Sequence, residues 1–490
     1  SFHLLLTLLL ALYLLAYLFQ NGENILESWL AQLLLVLLLA EALELAHQAV
    51  KRKVKRPQLT AKAILVMAMT FFVQVSLLYL YLFEFLDGYN LTQLALGLGI
   101  LSLLEHDLSA AVILTLFEPV SRWVKRRMYL KARDKRLQHP NLIVIGITGS
   151  FGKTSVKEFV SHLLAEDFEV LKTDQHTNTE IGIAQTILRY LEPKHQIFVC
   201  EMGAYRRGEI KICCQIVRPK IGVFTGLNEQ HLALFGSVDQ TFQAKWELIG
   251  ALPPEGTAII NGDCQQLKDR IKPFRGKSLV LSTQNNDDLK DIVIDQDGIA
   301  FTYKGQVFSC PLIGAFQVIN VLMAISVAET LGMSLPRLAE RVKTLRQPDK
   351  TMVLQPFKRG FIIDDSYNVN PDGLRGALDH VSTFEDHKKI LVFPGILELG
   401  EESEQLHEQL GEQIGREVDY AFFTDSNFSE VLSRGALRGG MTRQHVFSVS
   451  DQEEVLTGIH QLLEKHPEAQ FVVLFESRGV EATHSKLLKS

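Results

Sequence analysis

The stretch LIVIGITGSFGKTSVKEFV at 142–160 limits the possible folds more than any other part of the chain. An uninterrupted apolar run such as LIVIGI reads as a strand buried on both faces, which occurs inside a parallel sheet covered by helices. A glycine-rich turn and then an amphipathic helical pattern follow it directly. Glycines let the backbone wrap closely around phosphate, and the amides that open a helix attract anions. Gly149, Ser150, Gly152, Lys153, Thr154 and Ser155 are therefore the candidate nucleotide-binding group. Lys153 is expected to reach the β and γ phosphates of ATP, and the Thr154 hydroxyl to hold Mg²⁺. The spacing is GxxGKT, and Gly146 lies one residue away from where the longer GxxxxGKT loop has its first glycine. Taken alone, the motif fits either a short phosphate loop or a tight turn that binds nothing.

The surrounding pattern extends the α/β reading. QIFVCEM, KIGVFTGL and GTAIIN are strand-like and alternate with helical stretches such as DQTFQAKWELIGAL. A helical region from Ala315 to Thr344 closes this part, and RQPDK offers a break at 346–350. The alternation restarts with GFIIDDSY, KKILVFPG, YAFFTD, QHVFSV and FVVLFES. Two α/β domains are predicted, over 140–345 and 346–490, behind a basic linker at 121–139.

The first 120 residues read differently. Segments near 3–19, 28–46, 61–83 and 91–118 are apolar and long enough to cross a hydrocarbon layer of about 30 Å, so a bundle of four transmembrane helices is expected over 1–120. The first segment has signal-sequence length but lacks a basic start and a small-residue cleavage site. KRKVKR at 51–56 and the basic run from Arg122 to Arg127 place the chain ends and both α/β domains on the cytoplasmic side of a bacterial inner membrane. Glu105, His106 and Asp107 interrupt the fourth segment, either as a functional polar site or as a break between two half-spans.

The remaining composition mainly excludes. A formal net charge of −6 carries no nucleic-acid signature. Cys200, Cys213, Cys214, Cys264 and Cys310 show no zinc-type spacing and read as free buried thiols.

Seven blocks, in order, resemble the Mur ligase family. They are ITGSFGKTSVKE at 147–158, TNTEIGIAQTIL at 177–188, EMGAYRRGEI at 201–210, TGLNEQHLALFGS at 225–237 with AKWELI at 244–249, GAFQVINVLMAISVAETLG at 314–332, IIDDSYNVNPDG at 362–373, and FPGILELGEESEQLH at 393–407. The similarity is to the branch that attaches D-alanyl-D-alanine to UDP-N-acetylmuramoyl-tripeptide, and it covers about residues 140–490. The resemblance implies a phosphate-loop central domain, a Rossmann-like C-terminal domain, and an ATP-dependent ligase that forms an amide through an acyl phosphate. The partners it implies are a cell-wall precursor peptide, or a lipid-linked equivalent beside membrane lipid, and an amino acid or dipeptide amine.

The resemblance also assigns roles. Glu201, at a strand end, matches a Mg²⁺-binding glutamate, and His231 matches a histidine at a second metal position. Lys245 matches a lysine that is typically carbamylated, in effect a carboxylate for a second Mg²⁺. Lys153, Glu201, His231 and Lys245 form the implied catalytic set, with metal at Thr154, Glu201, His231 and Lys245. Asn178, Thr179 and Glu180 match a substrate-facing loop, whereas Asn228, Asn320, Asp364, Tyr367 and Asn368 match nucleotide contacts. The chain departs from the family at Phe316 and Gln317, where the family has His and Asn. Phe475 and Glu476 stand where it has Lys and Gly, and Asp349 and Lys350 where it has Gly and Arg. These departures leave open a nucleotide-binding scaffold that has lost catalysis.

Overall fold

The computed structural model of the protein describes residues 68–69, 115 and 118–488, apart from 176, 229–236, 367–368 and 397–402. The chain divides between Arg127 and Met128, and Met128–Ser490 is one compact unit. Its first sheet contains β1 (Ile143–Thr148), β2 (Val170–Lys172), β3 (Ile197–Glu201), β4 (Ile221–Phe224), β5 (Thr257–Asn261) and β6 (Lys277–Leu281). The order is β2-β3-β1-β4-β5-β6, and every pairing is parallel. Strand β1 is central, and its side chains feed two cores in turn. Ile145 and Ile147 face one cluster, Val144 the other, and all three are fully buried. That two-sided burial is why the strand is apolar without alternation.

Five helices position the site: α1 (Lys153–Leu164), α2 (Glu180–Tyr190), α3 (Glu209–Val217), α4 (Val238–Gly250) and, after the short α5 (Gln265–Lys268), α6 (Phe316–Thr330). The Thr179 hydroxyl caps α2 by accepting from Gly182 N at 3.3 Å, and Ser237 caps α4 by accepting from Gln240 N at 3.2 Å. Every residue of α6 from Gln317 to Ala328 is buried, so this helix is apolar nearly all round because it lies inside the domain. A separate three-stranded antiparallel sheet, β7 (Leu289–Ile294), β8 (Ile299–Tyr303) and β9 (Gln306–Cys310), and helix α7 (Leu335–Val342) complete this part. The sheet is foreshadowed only by the alternation in IAFTYKGQVFSC and its Lys304–Gly305 turn.

The second sheet contains β10 (Val353–Phe357), β11 (Gly360–Asp365), β12 (His387–Phe393), β13 (Tyr420–Phe423), β14 (Val446–Ser448) and β15 (Gln470–Glu476), in the order β10-β11-β15-β12-β13-β14. Only the edge pairing of β10 with β11 is antiparallel. Helices α8 (Pro371–Ser382), α9 (Ser403–Glu417), α10 (Ser429–Arg438), α11 (Gln452–Lys465) and α12 (Glu481–Leu487) accompany it. Helices α9 and α10 meet at glycines. A Cβ on Gly415 would lie 2.2 Å from Ala436 O, and one on Gly439 would lie 2.1 Å from Glu412 O.

The membrane expectation is corrected. Among the described residues no helix is long and apolar enough to cross a membrane. The most uniformly buried helix, α6, has 15 residues, short of the ~20 a span needs, and its apolar surface is used by the domain interior. The described fold is two α/β domains without a membrane helix bundle. The transmembrane fold class, the inner-membrane location and the idea of a membrane region replacing a substrate domain are therefore not retained. Apart from 68–69, 115 and 118, the four apolar segments lie outside the described residues, as do the basic run at 51–56 and Glu105, His106 and Asp107.

The stretch expected as a basic linker is helical over 118–137. Its end is docked: Arg136 donates to Val217 O at 2.9 Å, His139 O at 2.8 Å and Leu142 O at 3.0 Å. All five cysteines are free and buried.

Phe224 ties the end of β4 to α4. Its ring lies 6.3 Å from Phe242 and 6.2 Å from Trp246. Phe224→Ala should cost about 3–5 kcal/mol, read as a lower urea midpoint. A loss below 1 kcal/mol would show that α4 is held elsewhere.

Candidate active site

Parallel pairing brings the ends of β1, β3 and β4 to one edge, with Ile147 opposite Glu201 and Thr148 opposite Phe224. Ligands of open α/β sheets bind at such an edge. The loop after β1 is clasped by the loop after β4. Ser150 N donates to Gly226 O at 2.8 Å and Thr225 N to Thr148 O at 2.8 Å. The Thr225 hydroxyl bonds Phe151 O, and Asn261 Nδ2 holds Thr225 O at 2.8 Å. The clasp leaves no room for side chains: a Cβ at Gly149 would sit 2.1 Å from Thr225 Oγ1, and one at Gly226 would sit 2.2 Å from the Phe151 ring. Gly152 adopts a left-handed φ of 76° at the N-cap of α1, where no side chain caps the helix and the first turn has no acidic residue. No acid within α1 itself offsets its positive end.

Three cationic side chains surround this loop. Lys153 Nζ donates to Gly149 O at 2.8 Å and to Ser150 O at 3.1 Å. Lys245 Nζ donates to the same Gly149 carbonyl at 3.0 Å. Burial lowers the pKa of Lys153, partly offset by Glu201, and pushes Lys245 well down, with Lys153 adding repulsion. Lys157, fully buried on α1, lies 3.5 Å from Glu201 Oε2 and 3.3 Å from Glu158 Oε1.

Glu201 is the focus of the polar contacts. Thr154 Oγ1 donates to its Oε2 and Asn178 Nδ2 to its Oε1, both at 3.1 Å, while its backbone N–H donates to Thr173 Oγ1 at 3.0 Å. A buried carboxylate beside a hydroxyl at the head of a phosphate loop is a hard-oxygen donor set suited to Mg²⁺, which keeps waters and binds few protein ligands. Among the described residues no group of three or more His, Cys, Asp or Glu side chains converges on a metal position. Ser150 Oγ is buried with no hydrogen-bond partner, as suits a group that meets a ligand oxygen.

The loop opens into a cleft of about 600 Å³. Lys153, Thr154, Asn178 and Glu201 line one side, and Asp365, Asn370, Asp372, Ser477 and Arg478 the other. Asn320 also lines it, with Oδ1 2.9 Å from where a Gly152 Cβ would be. A chain of amides fixes it: Asn320 Nδ2 donates to Gln317 Oε1 at 3.0 Å, Gln317 Nε2 to Gln347 Oε1 at 3.0 Å, and Gln347 Nε2 to Met352 O at 3.1 Å. Asn228 Nδ2 donates to Asn370 Oδ1 at 2.8 Å, joining the two domains across the cleft.

The second domain presents Asp365, rather than Asp364, to the cleft. Asp364 accepts from Ser366 N at 3.1 Å and Ser366 Oγ at 2.5 Å and is buried. Asp365 accepts from Met352 N at 3.2 Å and pairs across the sheet with buried Glu476. Burial raises both carboxyls, with repulsion from Asp364 adding to the rise at Asp365 and repulsion from Asp365 adding to the rise at Glu476. Met352 and Ser477, beside Asp365, both have left-handed backbones, with φ of 53° and 73°.

Thus Gly149, Ser150, Gly152, Lys153, Thr154, Glu201, Lys245, Asn228 and Asn320 gather at this end of the molecule, and Ser155 lines the cleft. His231, Tyr367 and Asn368 lie outside the described residues. Sequence reading did not single out Lys157, Thr173 and Thr225, whose types carry no signal until the sheet places them.

Two consequences can be measured. The folded chain binds fewer protons at Lys245 than the unfolded chain does below its usual pKa of about 10.4, so this site makes stability rise with pH. Lys245→Met in carbon-dioxide-depleted buffer should be more stable than the parent near about pH 6, with the gap closing towards about pH 10. A gap independent of pH would refute the depressed lysine. Gly149→Ala should abolish nucleotide binding in a fluorescent-ADP titration, because Thr225 and the loop cannot both keep their places; retained affinity would mean that the clasp is dispensable.

Comparisons with known proteins agree with this geometry. The Mur ligase middle domain matches residues 147–328, and the Mur ligase glutamate ligase domain matches 352–478, together more than half of the chain. The UDP-N-acetylmuramoyl-tripeptide--D-alanyl-D-alanine ligase of Bacillus subtilis is 29% identical over 349 residues, covering 70% of this chain and 75% of that protein. The Escherichia coli enzyme of the same name is 31% identical over 273 residues, covering 54% and 60%, so the chain spans less than two thirds of that relative. In fold, the chain is similar to MurF from Acinetobacter baumannii, with a TM-score of 0.68 at 24% identity, covering 75% of this chain and 81% of that one. It is similar also to MurF ligase from Thermotoga maritima in complex with ADP, with a TM-score of 0.63 at 24% identity, covering 74% and 82%. A phosphate loop at the head of a parallel sheet, facing a second α/β domain across a cleft and matched by both domain families, makes this chain a member of the Mur ligase family, the ATP-dependent ligases that form amide bonds.

Proposed function

We propose that the chain joins the carboxylate of a peptidoglycan precursor peptide to the amine of D-alanyl-D-alanine or a similar amino acid or dipeptide. The observation that carries this reading is the convergence of Lys153, Thr154, Glu201 and Lys245 on one loop at the mouth of the cleft. The similarity to the UDP-N-acetylmuramoyl-tripeptide--D-alanyl-D-alanine ligases of Bacillus subtilis and Escherichia coli supports the choice of substrates. The working domains are 140–345, which binds ATP, and 346–490, which faces it.

In the proposed reaction a carboxylate oxygen attacks the γ-phosphorus of ATP, and the bond to ADP breaks. Lys153 and the N-terminus of α1 stabilise the charge on the phosphoryl oxygens. The amine nitrogen then attacks the carbonyl carbon of the acyl phosphate, phosphate leaves, and the nitrogen loses a proton. Closure across the cleft keeps water from the acyl phosphate. Thr154 and Glu201 would hold one Mg²⁺, which neutralises phosphate charge. Lys245 and His231 would serve a second. Asn228, Asn320, Tyr367 and Asn368 would complete the nucleotide contacts, with Asp365 in place of the buried Asp364.

Lys245 suits carbamylation because burial favours its neutral amine, the form that adds to carbon dioxide. The product is an anion, which relieves the crowding of cations around the Gly149 carbonyl. The scaffold alternative rests on the departures at Phe316, Gln317, Phe475 and Glu476, against which the phosphate loop and its carboxylate are intact.

Purified protein with Mg²⁺, ATP, UDP-N-acetylmuramoyl-tripeptide and D-alanyl-D-alanine should release ADP and gain a product heavier by the dipeptide. Release with other amines only would change the substrate, and none with any carboxylate would refute the ligase reading. Lys245→Ala should lose activity by about 10²-fold, the scale of one lost transition-state contact, and acetate should restore part of it. Full activity without acetate would remove Lys245 from the mechanism.

A further inference from the structure

A second cavity, of about 280 Å³, lies beside the nucleotide cleft, with Asn228, Asp372, Arg375, Gln405 and Gln409 among its walls. Asp372 lines both spaces, so it stands where they meet. Its position is set by the domain contact. Asn228 donates to Asn370 Oδ1 at 2.8 Å, and that oxygen accepts from Asp372 N at 3.1 Å and Gly373 N at 3.0 Å. Arg375, one turn along α8, donates from Nη1 to Asp372 Oδ1 at 3.0 Å.

Asp372 borders both spaces and Arg375 only the second, so the carboxylate is the member of the pair nearer the nucleotide cleft. Arg375 is 43% exposed and Asp372 41%, so their mutual bond is solvent-screened and exchangeable for ligand contacts. A guanidinium has five N–H donors and matches a carboxylate with two parallel bonds. Gln405 and Gln409 are one turn apart on α9, and their amides offer both donors and acceptors to a peptide group. The complement of this arrangement is a small molecule with an ammonium at one end and a carboxylate at the other.

We infer that this cavity binds the amine substrate, a free amino acid or dipeptide, with its carboxylate on Arg375 and its amino group on Asp372, directed at the nucleotide cleft. The inference rests on the ligase reading proposed above, and it makes Arg375 the residue that selects amines bearing a free carboxylate.

The test compares D-alanyl-D-alanine with its C-terminal amide in the native enzyme and in Arg375→Gln. The native enzyme should prefer the acid in KM by ~10-fold or more, the scale of one charge-assisted bidentate contact. Arg375→Gln should raise KM for the dipeptide by a similar factor, lose the preference for acid over amide, and leave KM for ATP unchanged. Arg375→Lys should recover part of the preference, which a purely structural role would not produce. Unchanged KM and unchanged discrimination in Arg375→Gln would overturn the assignment.

Calorimetry of the dipeptide binding to the Mg·ADP-loaded protein separates this from failure of the ligase reading. Binding by the native protein that Arg375→Gln loses supports the cavity even where no ADP is released. Equal binding by both, or none by either, overturns it.

Discussion

The clasp between the loops that follow β1 and β4 sets the geometry on which the rest of the site depends. Two backbone hydrogen bonds and the Thr225 hydroxyl hold the phosphate loop against Gly226 with no space for a Cβ at Gly149. The clasp also fixes where the Gly149 carbonyl points, and that carbonyl accepts from both Lys153 and Lys245. The side of Phe224, one residue before the clasp, packs on α4, which carries Lys245. Packing and charge placement are therefore one problem here: the aromatic cluster places the helix, and the helix places the cation.

Electrostatically, the loop is a site built for an anion. Lys153, half-buried, and Lys245, buried, share the Gly149 carbonyl, and desolvation depresses the pKa of each. Lys157 is buried too, but it lies close to Glu201 and Glu158. Glu201 thus balances Lys157, while the N-terminus of α1 and Lys153 face the cleft with no acid on the loop itself. A nucleotide phosphate, or a carbamate on Lys245, is the kind of negative group that relieves this imbalance.

The domain contact through Asn228 and Asn370 links the two halves of the chemistry. Asn370 is at once the cap of α8 and the acceptor for a side chain of the other domain. Moving the domains apart would break the Asn228 bond but leave the cap, since Asn370 Oδ1 accepts from Asp372 N and Gly373 N in the first turn of its own helix. That turn carries Asp372 and Arg375.

Some of this was determined by sequence alone. The buried strand, the glycine loop and the helix after it follow from periodicity and from the backbone freedom of Gly149 and Gly152, and the ordered blocks through 393–407 carry the family resemblance. The β7–β9 sheet was not read, because its short alternating strands compete with turn residues on either side. The apolar first 120 residues read as membrane spans, an expectation corrected by the described residues, among which no helix is long and apolar enough to cross a membrane. Only the tertiary structure decided that Asp365 and not Asp364 meets the cleft, since adjacent residues of a strand point to opposite faces. It alone brought Lys157, Thr173 and Thr225 to the loop and set Glu476 beside Asp365, because parallel pairing joins strand ends that lie far apart in the chain.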